Sequence, residues 1–60
     1  MELDLYYIVR KAKNGSLTYK FGPFQDYLNA NTKLKEEFSW NLEAHTIVKQ
    51  TITVEEIVKN

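Results

Sequence analysis

His45 is the single histidine of the chain, and histidine is the residue type that most often serves as a general base or a metal ligand. Either role needs company. A zinc site gathers several His, Cys or carboxylate ligands, and a nucleophilic triad sets a Ser or Cys beside its base. With no cysteine and no second histidine, neither constellation assembles, and His45 reads as a strand histidine with an ordinary hydrogen bond. The carboxylates give no more. Glu36-Glu37 and Glu55-Glu56 are adjacent pairs, and neighbours on a helix point in different directions, so they cannot act as an acid/base couple. Gly15 and Gly22 stand alone, which leaves no glycine-rich loop to cradle a phosphate. The residues point away from catalysis, metals and cofactors, and towards binding.

Two groups of residues could bind. The first is basic: Arg10, Lys11, Lys13 and Lys20 cluster towards the tip of an expected hairpin, with Tyr7 available for base stacking. The same lysines also serve the plainer purpose of solubilising a hairpin end and discouraging edge pairing. Lys+Arg equals Asp+Glu at 8 each, whereas a generic nucleic-acid binder carries a basic excess. The second group is apolar: Leu3, Leu5, Tyr7 and Val9, which alternation places on one face of the first strand, together with Trp40 in a later turn. In a three-stranded monomer that strand face is open to solvent, and contiguous apolar surface marks an interface. A C-terminal segment carrying Val54, Ile57 and Val58 and folding back over the face is the alternative cover. The absence of net charge permits self-association, so a homodimer stands beside a foreign protein as partner.

The elements that position these groups follow from periodicity. Leu3–Ala12 and Ser16–Phe21 read as strands joined at Asn14-Gly15, a hairpin signal because a two-residue type I′ turn requires φ > 0 at both positions. That turn pairs Lys13 with Ser16. It puts Tyr6, Ile8, Arg10, Ala12, Leu17, Tyr19 and Phe21 on the core face, with Arg10 opposite Tyr19. Leu3, Leu5, Tyr7, Val9, Lys11, Lys13, Ser16, Thr18 and Lys20 fall on the other. The run Leu5-Tyr6-Tyr7-Ile8-Val9 is apolar on both faces, as a central strand is. Gly22-Pro23 ends the second strand, and a helix is expected from about Phe24 to Phe38, its stripe being Phe24, Tyr27, Leu28, Leu34 and Phe38. Asn29–Thr32 is polar enough to kink it. Ser39-Trp40-Asn41 reads as a turn, and the residues from Leu42 onward as a third strand ending near Ile52. Thr53–Glu56 matches a capping box, so residues 53–60 either extend the strand or form a short helical turn, the reading favoured here. The expected fold is α+β: a single domain over residues 1–60, β-β-α-β, with a three-stranded antiparallel sheet ordered 2-1-3 and one helix across one face. A domain of this length has a net stability of only ~3–5 kcal/mol from its core, and no disulfide can add to it.

The first residues, Met1-Glu2-Leu3-Asp4, lack the basic start and apolar run of a secretory signal. No stretch approaches the roughly 20 apolar residues of a membrane span. A cytoplasmic setting is expected, without membrane partners.

Tyr6-Tyr7-Ile8-Val9-Arg10, the lysine-rich Asn-Gly hairpin, and Tyr19-Lys20-Phe21-Gly22-Pro23-Phe24 ahead of a helix together resemble the small uncharacterised accessory proteins of tailed bacteriophages. The likeness spans most of the chain as a pattern and transfers no catalytic residue. It implies a host-cytoplasmic viral protein that binds one host protein, for example a defence or toxin protein, and inhibits or redirects it in host takeover or anti-defence. Peptidoglycan-binding SPOR domains show a similar glycine-aromatic step, but this chain lacks their internal duplication. The expectation is therefore a non-catalytic protein-binding module, with a nucleic-acid-binding module using the basic hairpin as the alternative.

Overall fold

Strand β1 (Glu2–Lys11) is central in a sheet ordered β2-β1-β3, with β2 (Leu17–Phe24) and β3 (His45–Thr53) antiparallel to it on either side. This computed structural model describes residues 1–57 of the chain. A helix, α1 (Tyr27–Phe38), and a 3-10 turn, Ser39–Asn41, connect β2 to β3. The α+β order and the sheet topology are those expected from the sequence.

Residues directly opposed in an antiparallel ladder share a face, so the register assigns every side chain. Ile8 pairs with Ile47 and Arg10 with His45. Tyr6 meets Tyr27 edge-on at 5.9 Å, Phe21 meets Phe38 at 5.8 Å, and His45 stacks on Phe38 at 3.9 Å. Tyr6, Ile8, Phe21, His45 and Ile47 thus lie on the face that α1 crosses, and Arg10 shares that face but is exposed. Leu3, Leu5, Tyr7 and Val9 lie on the open face, opposite Ile52, Gln50, Val48 and Thr46.

The hairpin departs from expectation. Ala12 N–H donates to Ser16 O at 2.9 Å and Gly15 N–H to Ala12 O at 3.0 Å, so the loop is Lys13-Asn14-Gly15. Only Gly15 is left-handed there (φ 89°). The Asn14 Oδ1 accepts from Ser16 N–H at 3.0 Å and from Ser16 Oγ at 2.7 Å, which holds a turn with Asn14 outside the left-handed region and leaves the positive φ to glycine alone. One extra loop residue slips the register by one and exchanges the faces. Lys11 faces Leu17, Arg10 faces Thr18, and Val9 faces Tyr19. Leu17 and Tyr19 therefore lie on the open face, not in the core, and Arg10 does not sit opposite Tyr19. A bulge then restores the expected pairing. Ile8 faces Phe21, Lys20 is the extra residue, and Phe21 returns to the helix face.

A second irregularity, between Tyr6–Phe24 and Ile8–Phe21, accommodates Gly22-Pro23 within β2. The strand runs on to Phe24 instead of stopping at Phe21, because an edge strand tolerates a proline that has no N–H to donate. The helix consequently starts later than expected. Asp26 is its N-cap, with Oδ1 accepting from Leu28 N–H at 2.8 Å. The helix is unbroken across Asn29–Thr32. Its buried residue is Ala30, flanked by the half-buried Leu34 and Phe38, and Leu28 is 69% exposed instead of covering the sheet. The small Ala30 lets the helix approach the sheet closely, which turns Leu28 outward. Residues 54–57 are not helical; Val54 continues the ladder by exchanging hydrogen bonds with Met1. Val58, part of the expected cover for the open face, lies outside the described residues, and Ile57 is exposed.

Among the described residues Ile8, Val9 and Ala30 have no exposed surface, and His45 is the buried polar residue. The radius of gyration is 14.4 Å, against about 10 Å for a globule of this length, and the extents are 53 × 26 × 13 Å. This is a thin, elongated molecule with a minimal core.

Candidate protein-docking face

The open face is built by strand alternation and completed by the slipped register. Along β1, Leu3, Leu5 and Tyr7 are half-buried and Val9 has no exposed surface. Beside them β2 contributes Tyr19, 60% exposed, and Leu17, 44% exposed, while β3 contributes the half-buried Val48 and Ile52. The Tyr7 and Tyr19 rings meet edge-on at 5.1 Å, an arrangement favoured by the aromatic quadrupole, and form a two-ring ridge next to Val9. No element of the described residues crosses this face. Of the expected contact residues, Leu3, Leu5 and Tyr7 belong to it. Val9 belongs to it as a floor and offers no contact area. Trp40 does not belong to it.

Trp40 lies on the helix side, 73% exposed. Its indole Nε1–H donates to Glu37 O at 2.8 Å, and its ring stands near Phe38 at 6.2 Å and His45 at 5.7 Å. His45 is sandwiched there, 4% exposed. Its Nδ1–H donates to Asn41 O at 2.8 Å, the ordinary hydrogen bond expected of a strand histidine, and Phe38 stacks on it nearly parallel at an interplanar angle of 11°. The cluster anchors the turn between α1 and β3. Among the described residues, no group of histidines, cysteines or carboxylates is placed to hold a metal ion.

Leu17 and Tyr19 are the residues of the open face that periodicity misses. Alternation from Leu17 through Tyr19 to Phe21 reads as one face, and the bulge at Lys20 divides it. The signal that could have exposed this is Asn14-Gly15 itself, which suits a three-residue loop with glycine last as well as a two-residue turn.

The basic residues are only partly brought together. Arg10, Lys11 and Lys13, with Ala12, Thr18 and Ala44, line an open hollow of about 510 Å³ towards the tip of the hairpin. Lys20, in the bulge, is not among its lining residues. All four basic side chains are exposed, and in water exposed charges interact weakly and are screened by salt.

Among the described residues no helix is long and apolar enough to cross a membrane. No protein-family model, curated protein or solved structure matches the chain.

Proposed function

We propose that this chain is a non-catalytic binding module that docks a protein through the open face of its sheet. The observation that carries this is the joining of residues from all three strands, Leu3, Leu5, Tyr7, Leu17, Tyr19, Val48 and Ile52, into one apolar-aromatic surface with nothing packed on it among the described residues. Tyrosine and leucine side chains on a flat sheet suit a protein surface better than a small molecule, which needs a concave site that encloses most of it. Tyrosine is also a preferred anchor residue at interfaces. The bacteriophage resemblance extends the proposal to the kind of partner: a host cytoplasmic protein, for example one of defence or a toxin, that docking inhibits or redirects.

The test is affinity capture of the tagged chain from a nuclease-treated bacterial lysate, with Tyr19→Glu and Leu17→Glu in parallel. Leu17 and Tyr19 are both substantially solvent-exposed; Tyr19 also packs on Tyr7, so circular dichroism confirms that each variant is folded before capture is compared. The proposal expects one stoichiometric protein, lost by at least tenfold in both variants, since burying an unpaired carboxylate costs several kcal/mol. Equal capture by wild type and both variants removes the open face as the site.

A second reading rests on the hollow between Arg10, Lys11 and Lys13: phosphate groups of a nucleic acid. It expects affinity that falls steeply with salt as counterions are released. It also expects that Lys11→Ala and Lys13→Ala each reduce the slope by about one. Binding that ignores salt rejects it.

A further inference from the structure

The two edges of the sheet are finished differently. β2 is broken by register shifts, carries Pro23 and Lys20, and is preceded by Lys13 in the loop, all devices that discourage another strand from pairing. β3 lacks the register shifts and the proline, and its one lysine is Lys49. Its nine residues contain no proline or glycine, and its ladder with β1 is regular from His45 to Thr53. The ladder also fixes which backbone groups of β3 are free. Val54 N–H donates to Met1 O at 2.7 Å, the Met1 amino group donates to Val54 O at 3.2 Å, and Lys11 N–H donates to Ala44 O at 2.7 Å. Even-numbered residues of β3 therefore turn their N–H and C=O towards β1. The odd-numbered ones, Lys49, Thr51, Thr53 and, by continuation, Glu55, turn theirs outward.

The same end of the molecule is unsupported. β2 pairs with β1 only from Tyr6 to Lys11, and α1 begins over Tyr6. Residues 2–5 of β1 and 50–53 of β3 run on together as a two-stranded arm, lengthened by the Met1–Val54 pair. A two-stranded ribbon is marginal by itself in water, and this one carries Leu3, Leu5 and Ile52 on one face. The midpoint of its β3 half, counted to Val54, is Ile52.

We infer that the free edge of β3 is occupied by a second copy of the chain, whose β3 runs antiparallel about a two-fold axis at Ile52 and sets Lys49 against Glu55 of the partner subunit. The segment from Lys49 to Glu55 is self-complementary in this register: Ile52 meets its own copy on the open face, and Thr51 meets the partner's Thr53 on the other. Thr–Thr and opposite-charge pairs are favourable cross-strand neighbours, and like charges are not. Centring on Lys49 instead would oppose two lysines; centring on Thr51 would set Glu55 against Ile47. Lys49 and Glu55 are exposed and form no ion pair among the described residues, so both are available. The outward groups of Lys49, Thr51, Thr53 and Glu55 then become hydrogen-bonded pairs, and the three-stranded sheets join into one continuous sheet with a doubled open face. This interface shares no contact with the docking surface apart from Ile52, and it stands whether or not that surface binds a partner.

The experiment is sedimentation equilibrium on the full chain, its Lys49→Glu and Glu55→Lys variants, their equimolar mixture, and the double variant, with circular dichroism confirming that each is folded. The wild type should have the mass of two chains. Each single variant sets like charges opposite each other at both symmetric positions and should weaken dimerisation at least about tenfold. The mixture should recover the dimer as a heterodimer, because at both symmetric positions a glutamate of one chain then meets a lysine of the other. The double variant, with the two charges exchanged, should recover it as a homodimer. A monomeric wild type overturns the inference. So does a dimer indifferent to both single variants, or a mixture and double variant that stay monomeric. Should a single variant fail to fold, the double variant carries the test alone.

Discussion

Replacing Gly22 with alanine tests the tightest point of the fold. Gly22 has φ 130°, in the half of conformational space that side chains avoid. A methyl group there would lie 2.8 Å from Tyr7 Cδ1, 3.0 Å from the Tyr6 carbonyl oxygen and 3.2 Å from Tyr7 Cα. The backbone strain costs about 1–3 kcal/mol. Two of the three close atoms belong to the central strand's backbone and cannot swing aside, so the overlap adds a further ~1–3 kcal/mol, as overpacking does. The total of about 2–6 kcal/mol meets a stability of only ~3–5 kcal/mol for a core of this size. Gly22→Ala should leave much of the population unfolded at 25 °C. Gly15→Ala is the matched control: its φ is also positive, at 89°, but no atom lies within 4 Å of the added methyl, so it carries only the conformational penalty of ~1–2 kcal/mol. Urea titrations followed by far-ultraviolet circular dichroism, at one fixed protein concentration, give both values. Equal losses for the two variants would refute the reasoning, because then the approach of β2 to Tyr7 imposes nothing.

Two further substitutions probe the supports of α1 and β3. Asp26→Ala removes the side-chain cap of the helix and should cost about 1 kcal/mol in the same urea titration, with Asp26→Asn retaining nearly all of it; no difference between them and wild type means the cap is not formed. His45→Leu keeps an apolar side chain under Phe38 but deletes the hydrogen bond to Asn41 O, and should cost about 1–2 kcal/mol while shifting the fluorescence of the neighbouring Trp40. An unchanged emission would show that Trp40 does not rest on this cluster.

The parts of the fold that could be read beforehand are those in which several local signals agree. β1 is apolar on both faces and could only be central; the Asn-Gly turn made β2 its neighbour; a helix long enough to return the chain left the other side of β1 to β3. What escaped were the irregularities, each a contest between nearly equal options. Asn14-Gly15 suits two loop lengths, and the choice is made by the Asn14 side chain capping Ser16, a contact with no periodic signature. Gly22-Pro23 ends a central strand but not an edge strand, so its effect depends on a topology known only once the sheet is assembled. The helix stripe differs at Ala30, whose value is closeness of approach and not bulk, so it has no signature in a pattern of large apolar side chains.

The same irregularities decide what the protein presents. With a two-residue turn and no bulge, Leu17, Tyr19 and Phe21 would all face α1, and a helix of twelve residues has too little surface to cover them together with Tyr6 and Ile8. The longer loop sends Leu17 and Tyr19 to the open face, and the bulge at Lys20 returns only Phe21, the residue that meets Phe38. Tyr19 then leans on Tyr7 and closes over Val9, which accounts for how a valine on the uncovered face has no exposed surface. One inserted loop residue and one bulge thus divide a single apolar run between a minimal core and the open face. The two uses compete for the same side chains, and the register of β2 settles their shares. A substitution that shortened the loop to two residues would strengthen neither, because it would bury Tyr19 where the helix has no room and strip the open face of its aromatic ridge.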